Sequence, residues 1–431
     1  MSKYKFYDAE IVKYEKRVTK IKANPDPTRP QSNFMLYQME LDSRLANIES
    51  ADGKGRPLAT GLFPGPLFKA MGMDITDSCG AADRVSGEMA KTYLGMVQQL
   101  NLPYQTCDRT VVSGAMRMCG DMPPPKFVVL TNWECENMPL SNNFISKTQG
   151  IPHYYLDIPY ERSERSLAYV TAQLREIIQM IEETIPGTKY DEDAHIRYQE
   201  EEVQWYKAFR DIYPLRKQVP CPLAGIEAFR EPRWPCVYHE GKQSVKYLNQ
   251  YRNDLYSMVA KGKLPLQEEK LRFMWAISGP FHDNVFTYLA NKGVSIPWFQ
   301  IGNSSRTSGV NGYGIYGEEK EYGRKLTPLE EDARMLNQSA WGGLGSRWIE
   351  DIKYIVEDLK LDGVVYFQQW GCTAAVGLGK ILSEELEKSM GIPVLLSEGR
   401  MIDTEGYDGD RFREQLDEFI EIALEKKVQR K

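Results

Sequence analysis

The sequence predicts an α/β protein with two open, Rossmann-like parallel-sheet domains, a helical segment between them and an N-terminal arm. In two separate stretches, about 56–160 and 269–431, short apolar runs bounded by Gly and Pro alternate with segments of helix length. This alternation is typical of βα units arranged around a parallel sheet. The chain of 431 residues is also longer than one ordinary core can hold, so we expect two or three domains.

Residues 1–55 are predicted to form the N-terminal arm. This stretch is polar, and the Pro-rich residues 24–30 separate two parts that favour helix. We therefore expect the arm to pack on a neighbour rather than to build a core of its own.

Residues 56–160 are predicted to form the first α/β domain, which carries Cys107 and Cys135. Its expected strands are 57–63, 126–130 and 153–158, and its clearest helix is 82–100. Residues 161–268 follow as a mainly helical segment. Within it, apolar residues recur with the spacing of one helix face at Leu167, Val170, Leu174, Ile177, Ile178 and Ile181.

Residues 269–431 are predicted to form the second α/β domain, which carries Cys372. Its expected strands are 271–277, 294–299, 361–367 and 392–396, and its expected helices are 283–291, 376–390 and 410–425. The loop 302–317 is rich in Gly, Ser and Asn, so we predict a mobile segment there.

Composition and charge exclude several classes of protein. Hydrophobic residues make up 42% of the chain and charged residues 26%, as in soluble globular proteins, and no run approaches the roughly 18 apolar residues of a membrane span. A net charge of −6 without a long basic run argues against nucleic acid as the main partner. The first residues lack the features of a secretory signal, which leads us to expect a cytoplasmic protein.

Three cysteines lie where a predicted strand ends or a helix is about to begin. Cys107 and Cys135 are 28 residues apart and Cys372 follows 237 residues later, which excludes a local CxxC metal ribbon. Ligands of open parallel sheets collect outside the carboxyl ends of the strands, where Cys135 and Cys372 are expected. We therefore predict a thiolate site assembled from distant parts of the chain.

Two alternatives stay open for these cysteines at this point. Each one could be a small buried hydrophobic residue, as we predict for the other cysteines, Cys79, Cys119, Cys221 and Cys236. A metal site could hold zinc, which takes four Cys or His ligands or three and a water, but none of the four histidines pairs locally with a cysteine. An iron–sulfur cluster bound by three thiolates would leave one iron open.

Two further residues are candidates for catalysis. His282 follows a predicted strand, and a side chain with a pKa near neutrality suits a proton donor; the alternative is a helix-start residue that bonds Asp283 or the backbone. Glu134 is adjacent to Cys135, although a charged residue beside a loop is more often simply solvated. The Gly-containing segment 375–380 lacks the spacing of a nucleotide-binding loop, so any ATP would be hydrolysed by another chain.

Over residues 56–426 the chain resembles the large catalytic subunits of the 2-hydroxyacyl-CoA dehydratase and benzoyl-CoA reductase family. The resemblance lies in the order of short motifs, which are Phe63-Pro64, Cys107 to Gly114, Met122 to Cys135, Asp157 to Tyr160, Gly279-Pro280 and Asp362-Gly363 before Cys372. It implies a 4Fe-4S cluster on Cys107, Cys135 and Cys372, with a non-protein ligand at the fourth iron and an acyl-CoA thioester beside it. It also implies a related sister subunit, a separate ATP-hydrolysing activator that delivers single electrons, and an electron donor such as ferredoxin.

The resemblance leaves the branch of the family to be decided. Its dehydratases carry a Ser just before the Phe-Pro pair and a Glu further along, where this chain has Gly61 and Cys79. The aromatic residues near the strand ends would suit a flat acyl group, and they are Trp133, Trp370, Phe281, Tyr366 and Phe367. We therefore expect an iron–sulfur subunit of an ATP-dependent benzoyl-CoA reductase. The alternatives are a subunit of a 2-hydroxyacyl-CoA dehydratase and a non-catalytic structural or electron-relay partner of a substrate-binding sister subunit.

Overall fold

The structure is a computed structural model. It describes residues 2–61, 64–76, 80–85, 87–101, 105–132, 135–225, 227, 241–277, 279–280, 282–300, 316–317, 322–337, 345–405 and 407–430. Some residues singled out from the sequence lie outside this part of the chain, namely Phe63, Cys79, Trp133, Glu134, Cys236, Phe281 and most of the loop 302–317.

Helices and strands alternate along both halves of the described chain. The helices are α1 (Lys5–Ala23), α2 (Asn33–Ala51), α3 (Gly65–Ala70), α4 (Gly87–Gln99), α5 (Asp108–Met118), α6 (Asn137–Gln149), α7 (Glu164–Thr184), α8 (Glu192–Arg210), α9 (Tyr213–Arg216), α10 (Gly241–Ala260), α11 (Val285–Asn291), α12 (Pro328–Asn337), α13 (Gly345–Asp358), α14 (Thr373–Met390) and α15 (Gly409–Gln429). The strands are β1 (Leu58–Thr60), β2 (Asp74–Ile75), β3 (Phe127–Thr131), β4 (His153–Leu156), β5 (Leu271–Ala276), β6 (Val294–Gln300), β7 (Gly363–Gln369) and β8 (Val394–Gly399).

The eight strands form two four-stranded parallel sheets of the same topology. Their orders are β2-β1-β3-β4 and β6-β5-β7-β8, so each sheet begins in the middle, adds one strand to one side and then crosses to the other. This crossing is the topological switch point, outside which ligands of open α/β sheets bind. The predicted fold class, two Rossmann-like units in an α/β protein, is confirmed.

Both faces of the second sheet are covered, which explains why its strands are apolar throughout. Along β5, Leu271, Phe273 and Trp275 pack with α11 and α15, while Met274 and Ala276 pack with α13 and α14. All six residues of this strand are buried. A strand with helices on both sides needs apolar residues at consecutive positions rather than at alternate ones.

The first sheet draws its cover from distant parts of the chain. Helix α7, in the predicted helical segment, packs on β1, β3 and β4 through its apolar face. Leu326, Leu329, Ala333 and Leu336, which follow the strand β6 of the second sheet, join the same core. Residues 326–336 therefore pack on the first sheet although the predicted division places them in the second domain, because the apolar face of α12 is complementary to α7.

The N-terminal arm forms two helices that contact the rest of this chain. Helices α1 and α2 pack on each other through Tyr14, Val18, Tyr37 and Leu41. Phe6 and Tyr7 belong to the core around α4 and α5. Within the described residues no helix is both long enough and apolar enough to cross a membrane.

Candidate functional site

Each of the three predicted ligand cysteines lies at the start of a helix. Cys107 and Cys372 are the N-cap residues of α5 and α14, and Cys135 lies two residues before α6. The backbone N–H of Met138 donates to Cys135 Sγ at 3.3 Å. Thr110 donates a backbone hydrogen bond to Cys107, and Ala374 and Ala375 do the same for Cys372. Helix starts with free N–H donors stabilise negative charge, so these hydrogen bonds act in favour of the thiolate form of each cysteine.

The two halves of the chain meet at Gly371, the residue before Cys372. A Cβ atom at Gly371 would lie 2.4 Å from the carbonyl carbon of Thr106 and 2.5 Å from the nitrogen of Cys107. Asn137 Nδ2 donates to the Gly371 carbonyl oxygen at 2.6 Å. Through these contacts, the segments that carry the three cysteines meet at Gly371, and we call this contact the Gly371 joint.

Helix α5 begins directly after Cys107, and helix α6 begins shortly after Cys135. The two helices cross at a contact between small residues. Ser141 Oγ donates to the Thr110 carbonyl oxygen at 2.9 Å. A Cβ at Gly114 would lie 2.6 Å from Ser141 Oγ, so the helices approach as closely as this glycine allows. The contact sets the distance between the starts of the two helices.

The thiols influence one another electrostatically. Burial raises the pKa of Cys107 well above its usual range, and Asp108, Cys135 and Cys372 raise it further. Burial also raises the pKa of the Cys372 thiol. Burial at Cys107 and Cys372 therefore disfavours the thiolate form, which needs a positively charged partner to form there.

A single metal ion and a polynuclear cluster make different demands on three thiolates. Among the described residues, no group of three or more His, Cys, Asp or Glu side chains could hold a metal ion. A single zinc ion binds sulfur at about 2.3 Å and would draw the thiolates almost into contact. In a 4Fe-4S cluster each thiolate binds its own iron, so the ligands are spread around the cluster.

His282 lies in the same region, beyond the carboxyl end of β5 at the second switch point. Burial lowers its pKa, while Asp283, a hydrogen bond to the Arg400 backbone, Asp108 and Asp403 act in the opposite direction. Its Nε2 atom is buried and has no hydrogen-bond partner among the described residues. One ring nitrogen of His282 is thus fixed by a hydrogen bond, and Nε2 is available to bond a substrate.

Asp283 accepts hydrogen bonds from Tyr407 and Arg413, and the His282 ring bonds the backbone of Arg400, which is one of the two kinds of partner that the alternative prediction allowed. Tyr407 donates its hydroxyl to Asp283 Oδ2 at 2.7 Å, and Arg413 Nη2 donates to Oδ1 at 2.5 Å. The Tyr407 ring packs edge-on against His282 with 4.5 Å between the ring centroids. These contacts fix the orientation of the loop that carries His282.

The predicted aromatic flank is mostly core. Tyr366 donates its hydroxyl to the Ala375 carbonyl oxygen and packs against Trp348, and Phe367 packs against Phe412. Both lie on β7 between helices, which explains their full burial. Trp370 is 42% exposed beside the Gly371 joint, with Arg400 over its ring.

Sequence reasoning missed three residues next to the cysteines. Gly371 makes the close backbone approach described above, and Asp108 and Gln369 form a buried hydrogen bond between the two halves at 2.8 Å. A glycine directly before a candidate ligand and an Asp in the first turn of the following helix are recognisable signals. Their partners could not be found from the sequence because they lie more than 250 residues away.

Comparison with known proteins gives a family and two curated relatives. The family model described as 2-hydroxyglutaryl-CoA dehydratase, D-component, matches residues 61–423. The (R)-phenyllactyl-CoA dehydratase alpha subunit of Clostridium sporogenes is 23% identical over 323 residues, which cover 71% of this chain and 72% of the relative. The (R)-2-hydroxyglutaryl-CoA dehydratase, subunit alpha, of Acidaminococcus fermentans is 23% identical over 320 residues, which cover 72% of this chain and 62% of the relative.

These similarities support the dehydratase alternative better than the benzoyl-CoA reductase that we expected from the sequence. Both relatives are dehydratase subunits by name, and the match to the family extends over most of the chain, including all three cysteines. The chain belongs to the 2-hydroxyglutaryl-CoA dehydratase D-component family.

Proposed function

We propose that this chain is a subunit of a 2-hydroxyacyl-CoA dehydratase and that Cys107, Cys135 and Cys372 hold a 4Fe-4S cluster. The observation that carries the proposal is that the segments with these three cysteines, each at a helix start, converge at Gly371. Membership of the dehydratase family and the names of both relatives support dehydration as the reaction.

In this proposal the cysteines bind the cluster, and the surrounding backbone donates hydrogen bonds to their sulfur atoms. Hydrogen bonds from helix N–H groups to the sulfur atoms favour the charged, metal-binding form of each thiol. A bound cluster of this kind supplies single electrons at low potential and one iron without a protein ligand. Burial of Cys107 restricts water and oxygen on its side of the site.

His282 is the residue we propose to move a proton of the bound substrate. Burial lowers the pKa of the ring and so favours its neutral form, and the hydrogen bond to the Arg400 backbone occupies one side of the ring. The buried, unpartnered Nε2 is then an acceptor, so His282 suits a base rather than the proton donor expected from the sequence. Glu134, the other catalytic candidate, stays a prediction.

The partners follow from the chemistry of the reaction. The substrate is an acyl-CoA thioester, and the relatives are named as alpha subunits, which supports a sister subunit. We propose a separate ATP-hydrolysing activator and a donor such as ferredoxin as the source of electrons, because no nucleotide motif is present in this sequence.

Iron analysis after anaerobic purification tests the cluster. We expect about four iron and four sulfide per chain in the wild type. Cys372→Ser should lose most of this iron, whereas Cys119→Ser should keep it, since Cys119 lies at the far end of α5. Wild-type iron in Cys372→Ser would refute the ligand assignment.

Product analysis tests the reaction. With the sister subunit, activator, ATP and reductant, we expect water to be eliminated from (R)-phenyllactyl-CoA or (R)-2-hydroxyglutaryl-CoA. The variant His282→Gln should turn over more slowly with unchanged iron content. Exclusive ring reduction of benzoyl-CoA would instead establish the second candidate, an aromatic acyl-CoA reductase.

One observation favours that second candidate. Gly61 stands near the Phe-Pro pair, where the dehydratases of the family carry a Ser, and has a φ of +155°. A Cβ there would lie 2.6 Å from the Val129 carbonyl oxygen, so the backbone leaves no room for a Ser side chain. The same product assay therefore decides between the two reactions.

A further inference from the structure

Asp108 is a buried carboxylate directly after Cys107. It is 1% exposed, and its two oxygens accept three hydrogen bonds. Gln369 Nε2 donates to Oδ1 at 2.8 Å, and the backbone N–H groups of Ile402 and Asp403 donate to Oδ2 at 2.8 and 2.9 Å. Within the described part of the chain, no Lys, Arg or His side chain forms an ion pair with Asp108, so its charge is solvated by neutral donors.

Gln369 is the side-chain donor of this group, and its amide has one favourable orientation. The side chain is fully buried, and its Nε2 atom lies 2.8 Å from Asp108 Oδ1, 3.0 Å from the Trp370 carbonyl oxygen and 3.9 Å from Cys107 Sγ. A flipped amide would turn its oxygen towards the carboxylate and the carbonyl, which repel it. The Oε1 atom has no partner among the described residues.

Three separate parts of the chain hold the carboxylate in place. Asp108 is the first residue of α5, Gln369 is the last residue of β7, and Ile402 and Asp403 follow β8. An Asp in the first turn of a helix is common because it stabilises the positive end of the helix. That role needs neither burial nor donors from the other half of the chain, so it does not account for the arrangement.

We propose that Asp108 is a fixed negative charge that lowers the reduction potential of the cluster and that Gln369 is the residue that positions it. The inference rests on the cluster assigned under the proposed function. The potential of an iron–sulfur cluster depends on net charge, on hydrogen bonds to its sulfur atoms and on solvent exposure. A buried carboxylate next to a ligand opposes the addition of an electron, because little solvent screens it.

The Gln369 amide raises the reduction potential of the cluster and so opposes Asp108, but its effect is the weaker of the two. A donor near Cys107 Sγ raises the potential, but the amide is neutral and the distance of 3.9 Å is long for a strong bond. The full charge of Asp108 on the neighbouring residue is therefore the larger effect. The net result is a cluster that is harder to reduce and a stronger reductant once it is reduced.

A potentiometric titration monitored by electron paramagnetic resonance tests this on the anaerobically purified protein. We expect Asp108→Asn to shift the midpoint potential upwards with unchanged iron content. The new side chain keeps two of its three hydrogen bonds, since Oδ1 still accepts from the backbone N–H groups of Ile402 and Asp403. The matched control is Asp121→Asn, which removes a carboxylate beyond the other end of α5 and should leave the potential unchanged.

A charge swap separates the electrostatic effect from a change of structure. In the double variant Asp108→Asn with Gln369→Glu, the carboxylate moves to the other side of the same hydrogen bond. We expect its potential to return from that of Asp108→Asn towards the wild-type value.

The outcomes distinguish this inference from the proposed function. A wild-type protein without iron would refute the cluster itself. Wild-type iron with the same potential in Asp108→Asn as in Asp121→Asn would overturn only the role of Asp108. Loss of iron in Asp108→Asn alone would also overturn it, because the carboxylate would then serve to build the site rather than to set its potential.

Discussion

Gly371 shows how one residue can bring a site together. Its φ of +80° lies in the left-handed region, and the space of its missing side chain is filled by the backbone of residues 105–107. A side chain at this position would therefore separate Cys372 from Cys107. The position needs glycine for two independent reasons, the backbone conformation and the close contact.

We predict that Gly371→Ala loses most of its iron while the protein stays folded. The left-handed conformation costs a non-glycine residue about 1–3 kcal/mol, and the clash with backbone adds to this cost. The control is Gly377→Ala in the same helical region, where a Cβ would meet nothing within 4 Å. Iron content and circular dichroism of both variants are the measurements, and full iron in Gly371→Ala would contradict the role of this joint.

Helix α12 has a start that can be recognised in the sequence. Thr327 and Glu330 form a capping box, in which the Thr327 N–H donates to Glu330 Oε2 at 2.8 Å and the Glu330 N–H donates to Thr327 Oγ1 at 3.4 Å. Pro328 occupies the first helical position, where its missing N–H costs nothing. Arg324 adds an ion pair to Glu330 at 2.9 Å.

We predict a pH-dependent stabilisation from this capping box. The hydrogen bond from Arg324 is the main reason that the pKa of Glu330 falls to about 2, below its ordinary value of 4.5. Because the pKa is lower in the folded state, the stabilisation is complete above the unfolded pKa and is lost as the pH falls towards 2. The difference in melting temperature between wild type and Glu330→Gln should therefore shrink between pH 7 and pH 3.

Two further variants complete that experiment. Thr327→Ala should lower stability by about 0.5–2 kcal/mol at neutral pH, as the loss of an N-cap side chain does. Glu164→Gln, which removes an exposed partner of Arg324, serves as the control and should behave like the wild type. A constant difference for Glu330→Gln over the whole pH range would argue against the ionic contribution.

At the scale of the molecule, a buried polar cluster connects the helical segment with the chain that follows strand β6 of the second sheet. His195 Nε2 lies 3.0 Å from Asp332 Oδ2, and both side chains are fully buried. Gln199 donates to the other oxygen of Asp332 at 2.9 Å, and the Tyr190 hydroxyl lies 2.9 Å from His195 Nδ1. The cluster joins α8 to α12, so it specifies how α12 packs beside the first sheet.

We predict that Asp332→Ala destabilises the protein by about 3–5 kcal/mol, because the partners of a buried charged group are left without compensation. Denaturant unfolding followed by fluorescence measures the change. Asp410→Ala is the control, since the side chain of Asp410 is 99% exposed, and it should change stability by less than about 0.5 kcal/mol. A loss as small as the control would mean that the cluster contributes little to the packing of α12.

Prediction from the sequence succeeded where a local pattern exists. The strand expected at 271–277 is Leu271–Ala276, and the helix expected at 376–390 is Thr373–Met390. The strand β2 was missed because Asp74–Ile75 has only two residues and thus no period to recognise. The place of α12 on the first sheet was missed for another reason, since its partner α7 is remote in the sequence.

By itself, the sequence determined the fold class, most strands and helices of both sheets, and the three cysteines as candidates. These follow from local periodicity and from residue types, which need no knowledge of distant contacts. Only the tertiary structure decided that the segments carrying the three cysteines meet at Gly371 and that Gln369 and the 402–403 backbone hold Asp108. The reason is that a site between two sheets depends on how their switch points face each other, and this is set by packing between residues far apart in the chain.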